Sequence, residues 1–263
     1  MIEKIYNLYA YIFCRKIFRK FNRLIYQLGL RGLGVLNYKS SYLTGENIWL
    51  KKYLDNKKSP IVIDVGANVG NYSSTVLKMN NSSIIFAFEP HPRTYQKLIN
   101  KVKSDNFTAY NVAVGNESGV MKLYDYDCND GSSHASLYKN VIEDLHKGNA
   151  VSHLVDVISL DSFIQEHNIR EIHLLKIDVE GNEFNVLRGV EKYIKNNQIN
   201  AIHFEFNEMN IISRTNFKDF WDFLPNYNFY RILPGGELLK IKDYSPVFCE
   251  IYAFQNIIAI LKK

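Results

Sequence analysis

Cysteine, proline and long apolar runs are scarce in this 263-residue sequence. Its three cysteines, Cys14, Cys128 and Cys249, are scattered and make no CxxC pair. An odd, dispersed set excludes a disulfide framework or a zinc knuckle and suits a reducing, cytoplasmic setting. No apolar run approaches the ~20 residues needed to cross a bilayer. The N-terminus lacks a compact apolar stretch before a small-residue cleavage site and is studded with Arg, so it does not read as a signal peptide. No internal repeat or low-complexity tract is present.

Acidic residues are nearly missing from one place. Up to Lys39 there are eight Lys or Arg against one acid, Glu3, while the whole chain is only +5, so the remainder is close to neutral. An enzyme of nucleic acid would spread its bases around a cleft, so no nucleic-acid partner is expected. From Phe13 onward this segment separates into two faces at helical spacing. Phe13, Ile17, Phe18, Phe21, Leu24, Ile25 and Leu28 share one; Arg15, Lys16, Arg19, Lys20, Arg23 and Gln27 share the other. The pattern predicts a helix over Ile2–Leu30, ended by Gly29, Gly32 and Gly34. Residues 1–39 thus form a basic amphipathic extension and residues 40–263 the main domain. The extension's apolar face can pack on the domain or on a second subunit in a homodimer. It can equally lie on an anionic membrane, which would make the protein peripheral on the inner face.

Beyond a short helical approach over Ser41–Leu54, strand and helix patterns alternate. Strands are expected at Ile61–Val65, Ile84–Glu89, Thr108–Val112, Ile172–Asp178 and Ile199–Phe206. Helices are expected at Val69–Met79, Pro92–Val102, Ser159–His167, Glu183–Lys195 and Phe217–Leu224. Such alternation predicts a mostly parallel sheet with helices on both faces. Val120–Tyr126 and His153–Ile158 read as additional strands around a polar stretch, Asp127–Asn149. Phe229–Leu233 and Ile251–Ala259 read as closing antiparallel strands, a hairpin at one edge.

The densest signal is Val62-Ile-Asp-Val-Gly-Ala-Asn-Val-Gly-Asn-Tyr-Ser73, an apolar strand running through a Gly-rich turn into a helix. Gly66 and Gly70 permit tight turning and close approach of a ligand. The following helix start points unpaired N–H groups at the loop. Glu89 ends the next strand about 20 residues on, where an acid accepts from ribose hydroxyls. The dinucleotide fingerprint GxGxxG is not matched, because Asn68 replaces the middle Gly and the third is mis-spaced. Asp64 before the loop suits a cationic, amino-bearing ligand better than a pyrophosphate. S-adenosylmethionine, with its sulfonium and α-amino groups, fits.

Several blocks in order resemble the FkbM family of methyltransferases. They are Thr44-Gly-Glu46, Ile63–Tyr72, Phe88-Glu-Pro90, Asn111-Val-Ala-Val-Gly115, Leu160-Asp161, Leu175-Lys-Ile-Asp-Val-Glu-Gly-Asn-Glu183 and Leu187-Arg-Gly189. The resemblance implies an α/β class I methyltransferase, Rossmann-like fold, with a mostly parallel sheet and an antiparallel edge. It implies S-adenosylmethionine as donor and O-methylation of glycans or secondary metabolites. Cofactor contacts are expected from Glu46, Asp64, Gly66, Ala67, Asn68, Gly70, Asn71, Glu89 and Pro90. The Asn111, Val112 and Ala113 turn is expected beside adenine.

Methyl transfer to a hydroxyl needs the nucleophile held in line and its proton removed. Acids at strand ends face the right crevice, which selects Asp178, Glu180 and Glu205. His134, in the polar insertion, is a further candidate base. Asp178 and Glu205 together could hold Mg²⁺, although two acids do not define an octahedral site. The leading expectation is O-methylation of a sugar, nucleotide sugar or glycan acceptor. Rival readings are a polyketide or other small-metabolite acceptor, RNA or protein methylation, and a scaffold that binds S-adenosylmethionine without turnover.

Overall fold

A computed structural model describes residues 1–37, 44–127 and 135–263. The boundary expected near residue 40 and the candidate His134 lie outside the described residues. Eight strands form the main sheet: β1 (Ile61–Val65), β2 (Ile84–Phe88), β3 (Phe107–Tyr110), β7 (Leu174–Ile177), β8 (Ala201–Phe206), β9 (Tyr227–Leu233), β10 (Glu237–Ile241) and β11 (Gln255–Leu261). Their order is β10-β9-β11-β8-β7-β1-β2-β3. The run from β8 to β3 is parallel throughout, and β11 is antiparallel to both β8 and β9. This is the class I methyltransferase architecture, with the antiparallel strands at one side.

One detail differs from expectation. The closing strands are not an edge hairpin: β11 inserts between β8 and β9, and the hairpin at the edge is β9 with β10. Gln255–Leu261 is buried through Ala259, so it satisfies an interior position. The extra strands, β5 (Gly119–Tyr126) and β6 (Ala150–Ile158), form a separate small sheet with β4 (Ala113–Val114).

The alternation of side chains along β1 divides the core. Ile63 and Val65 join a large apolar cluster with α6 (Leu160–Glu166), α7 (Glu183–Arg188), α8 (Glu191–Lys195) and α10 (Phe217–Phe223). Val62 faces the other way, toward Trp49, Leu50 and Leu54 of α3 (Glu46–Leu54) and Val76 of α4 (Asn71–Met79). The helix expected over Glu183–Lys195 is two helices, broken where Gly189 passes the backbone of Gly115; a Cβ there would lie 2.0 Å from that carbonyl oxygen. The remaining helices are α5 (Pro92–Lys101), α9 (Met209–Ser213) and α11 (Pro246–Cys249).

The leading segment is also two helices, α1 (Ile2–Phe13) and α2 (Arg19–Gly32), with a 3-10 turn at Lys16–Phe18 between them. The rings of Phe13, Phe18 and Phe21 meet at this corner, with centroids 5.0, 5.5 and 6.5 Å apart. Asn22 accepts from the Tyr9 hydroxyl at 2.6 Å and donates to the Phe13 carbonyl at 2.9 Å. Away from the corner the apolar side chains, Leu24, Ile25 and Leu28 among them, are exposed. The segment joins the domain just after α2, where Leu30 and Val35 are buried and Leu36 N–H donates to the Phe254 carbonyl at 2.8 Å.

Candidate active site

The strand order turns back between β1 and β7, and the crevice at their carboxyl ends is where an open α/β sheet takes its ligand. Two adjoining cavities open there, sharing Gly66, Asn68 and Asp178 in their walls.

The backbone of the β1 loop is set before any ligand arrives. Gly66 has φ +76°, and a Cβ on it would lie 1.7 Å from the Asp178 carbonyl oxygen. Gly70 has φ +81°, and a Cβ there would meet Val102 and Leu98 side chains at 2.6 and 2.7 Å. Both glycines are therefore demanded by the protein's own packing, a reason the sequence did not disclose. Asn68 takes a left-handed φ of 49°. Its N–H donates to Glu89 Oε2 at 2.9 Å, and His91 N–H donates to Glu89 Oε1 at 2.9 Å.

The first cavity, with about 580 Å³ of open space, has Glu89 at one side and an apolar wall of Ala113, Val114, Leu123, Ala135 and Leu137. Burial lifts the Glu89 carboxyl to about 7, against the pull of its two backbone hydrogen bonds. The Glu89 carboxyl can accept hydrogen bonds there, and the apolar wall offers a surface to a ring. Pro90 and Glu180 also line this cavity. Leu123 lies on β5, and Ala135 and Leu137 in the polar stretch after it, rather than in the Gly-rich motif, and sequence reasoning missed them. Asn111 stands outside: its amide donates to the Glu89 and Pro90 carbonyls at 2.8 and 3.0 Å, bracing that turn. Val112 packs against the large core cluster.

The second cavity is lined by Glu46, Asn47, Ala67, Asn71, Tyr72, Thr75, Lys176 and Glu205 in addition to the shared residues. Lys176 and Tyr72 were not among the expected site residues. Lys176 is buried inside β7, and its Nζ donates to Asp178 Oδ2 at 2.9 Å and lies 3.9 Å from Asp64 Oδ1. Burial works against its charge, but the carboxylates of Asp178 and Asp64 outweigh that and raise its pKa. Asp64 is fully buried behind the loop rather than in either cavity wall. Its Oδ2 accepts from the Ser73 hydroxyl at 2.6 Å, and its Oδ1 has no hydrogen-bond partner. Burial raises its pKa, with Lys176 and Ser73 opposing.

Glu205, at the end of β8, is held well above the ordinary carboxylate range, first by burial and then by Asp178 and Glu180. Asn207 donates to its Oε2 at 3.4 Å. His203 is a buried core residue on the same strand. Its Nε2 is 3.1 Å from Asn256 Oδ1 and its Nδ1 is 3.7 Å from Glu46 Oε1. Desolvation lowers its pKa, so it is neutral.

The turn after β7 is shaped from below. Glu183 Oε1 accepts from Val179 N–H at 3.2 Å and Gly181 N–H at 3.1 Å, and burial lifts this carboxyl to about 7. Glu180 has a left-handed φ of 53°, and its carbonyl accepts from the Ser136 hydroxyl at 2.7 Å. Of the candidate bases, the structure therefore brings Asp178 and Glu205 into one cavity and places Glu180 in the neighbouring one. Among the described residues no group of three or more His, Cys, Asp or Glu can hold a metal ion, and a Lys176 ammonium already occupies the Asp178 carboxylate.

A family model, the methyltransferase FkbM domain, matches residues 64–231. Among curated proteins the chain is similar to "Methyltransferase 1" of Beauveria bassiana, 28% identical over 56% of this chain and 66% of that protein. It is similar to the 2-O-methyltransferase NoeI of Sinorhizobium fredii, 24% identical over 68% of this chain and 77% of that one. It is also similar to the hexuronic acid methyltransferase AglP of Haloferax volcanii, 26% identical over 56% of this chain and 57% of that one. The chain thus spans just under two-thirds of the first of these relatives and little more than half of the last.

Proposed function

Because the chain belongs to the FkbM family of methyltransferases, we propose that it transfers a methyl group from S-adenosylmethionine to a hydroxyl of a sugar, nucleotide sugar or glycan, working in the cytoplasm. The observation that carries this reading is the lining of the second cavity. Beyond Glu46 and Asn71, the carboxylates, amide and hydroxyl of Asp178, Glu205, Asn47 and Thr75 line it. Such a wall pairs with the hydroxyls of a polyol and offers little to the carbon skeleton of a polyketide. The printed names of NoeI and AglP, a 2-O-methyltransferase and a hexuronic acid methyltransferase, support the same class.

The cavities divide the work. Glu89 and the apolar wall hold the nucleoside, and Glu46, Asn68 and Asn71 lie along the rest of the donor. When bound, S-adenosylmethionine supplies a methyl made electrophilic by the sulfonium. Asp178 and Glu205 receive the acceptor hydroxyl. Glu205, held well above the ordinary carboxylate range by burial and by Asp178 and Glu180, keeps its proton to higher pH than an ordinary carboxyl. The Asp178 carboxylate is then the group placed to take the hydroxyl proton. Lys176 fixes Asp178 in place.

Purified protein should release S-adenosylhomocysteine with a panel of nucleotide sugars and glycan fragments, and NMR of the product should show one new O-methyl group. Turnover confined to phenolic or polyketide acceptors would overturn the acceptor class. Calorimetric binding of NAD, with no response to S-adenosylmethionine or S-adenosylhomocysteine, would overturn the donor.

A further inference from the structure

We propose that α1 and α2 form a two-helix element that docks on an anionic lipid surface. Three observations carry this independently of the acceptor. The first is apolar exposure away from the corner: Ile5, Leu8 and Ile12 on α1 and Leu24, Ile25 and Leu28 on α2 are all exposed. These are large side chains on two short helices, more than a solvated surface ordinarily leaves in one place.

The second is length. Helices of 12 and 14 residues rise about 18 and 21 Å, whereas a bilayer core is about 30 Å thick. Neither helix meets the length and hydropathy needed to cross a membrane. Their apolar sides match the depth of an interface rather than a span.

The third is charge, which selects the occupant. Residues 1–37 carry Lys4, Arg15, Lys16, Arg19, Lys20, Arg23 and Arg31 against the single acid Glu3. On α2 the basic side chains flank Phe21, Leu24, Ile25 and Leu28 at the spacing of an interfacial helix. Two copies meeting through this face would bring their basic flanks together and repel. Anionic head groups would neutralise them. The tether at Leu30–Asn37 holds the element to the main domain just before β11, through Leu36 and the Phe254 carbonyl.

The test is flotation of the full chain with phosphatidylcholine vesicles, with and without phosphatidylglycerol, so that no methyl acceptor enters the readout. Binding to the anionic vesicles should be at least about tenfold tighter. It should weaken as salt shortens the screening length from about 10 to about 3 Å. The combined change Leu24→Ser, Ile25→Ser and Leu28→Ser should abolish flotation and leave the melting temperature unchanged. Arg19→Glu, Lys20→Glu and Arg23→Glu together should remove the preference for phosphatidylglycerol. Equal flotation with both vesicles, or none with either, would overturn the proposal. So would a drop in melting temperature of the serine variant, or a dimer in sedimentation that the serine changes dissolve.

Discussion

Lys176 and Asp178, two residues apart on the same strand end, form an ion pair of 2.9 Å in which the lysine is buried and the carboxylate is a third exposed. Lys176 lies on β7 and Asp178 directly follows it, and both line the second cavity, so the strand end delivers a cation and a carboxylate to one wall. Asp64, on the neighbouring strand β1, completes the lysine's surroundings.

Asp178→Asn keeps the shape of the pair and removes its charge. Turnover should fall by about 10²–10⁴-fold, the range for loss of a general base. Affinity for S-adenosylhomocysteine should change far less. Single-turnover kinetics beside calorimetry separate the two, and near-normal turnover would remove Asp178 from the chemistry.

Lys176→Met should harm the fold as well as the site. Breaking a buried pair from one side costs about 3–5 kcal/mol, and here it strands the fully buried Asp64 beside an unpartnered Oδ1. Urea unfolding of the free protein measures this. If stability is retained, Asp64 has taken up a proton, and stability should then fall as pH rises.

Glu89, with its carboxyl at about 7, links donor affinity to pH. An ionised acceptor makes stronger hydrogen bonds to ribose hydroxyls than a neutral one. Affinity for S-adenosylhomocysteine should therefore rise between pH 6 and about pH 8, and Glu89→Gln should flatten the profile. Glu89→Ala should weaken binding by about 1–3 kcal/mol at neutral pH. A wild-type profile that falls over the same range would refute the ribose assignment.

Glu183 provides a stability test with a definite sign. Its folded pKa, about 7, lies above the ordinary value of 4.5. A raised folded value means that its contribution is fully present at acid pH and is lost as pH rises through about 7. Glu183→Gln keeps an acceptor for Val179 and Gly181 and cannot ionise. Its stability relative to wild type should improve between pH 5 and about pH 8. Comparing the two proteins cancels the opposing slope from His91, His173 and His203, whose lowered values reward rising pH. Parallel unfolding curves across that range would show that Glu183 does not titrate there.

Gly66→Ala should destabilise the free protein by at least about 2 kcal/mol, since the new Cβ meets backbone in a left-handed conformation. Unfolding measured without donor decides the point. Normal stability with lost S-adenosylhomocysteine binding would mean that ligand space alone requires the glycine.

What was legible in the sequence was whatever a short linear pattern carries. The β1 strand, its Gly-rich turn and Glu89 sit within one stretch, and so do Asp178 and Glu180, so their convergence at strand ends followed from alternation. The apolar wall of the first cavity did not, because Leu123 comes from β5 of the second sheet and Ala135 and Leu137 flank Ser136, which bridges to Tyr124, a placement no local period encodes. The interior position of β11 was hidden likewise: strand order is a tertiary fact, and adjacency in the chain suggested a hairpin. The split between α1 and α2 escaped notice because the apolar period runs on through Ile17 and Phe18. Only the meeting of Phe13, Phe18 and Phe21, with Asn22 on the Phe13 carbonyl, shows why the chain turns there.

The Asp178 carbonyl occupies the space that a side chain at position 66 would need. The Gly-rich loop after β1 and the turn that carries Asp178 are thus cut from one piece, and neither can be reshaped without the other. A change of acceptor is therefore to be sought at positions such as Asn47 and Thr75, which line the second cavity from α3 and α4 rather than from that shared piece.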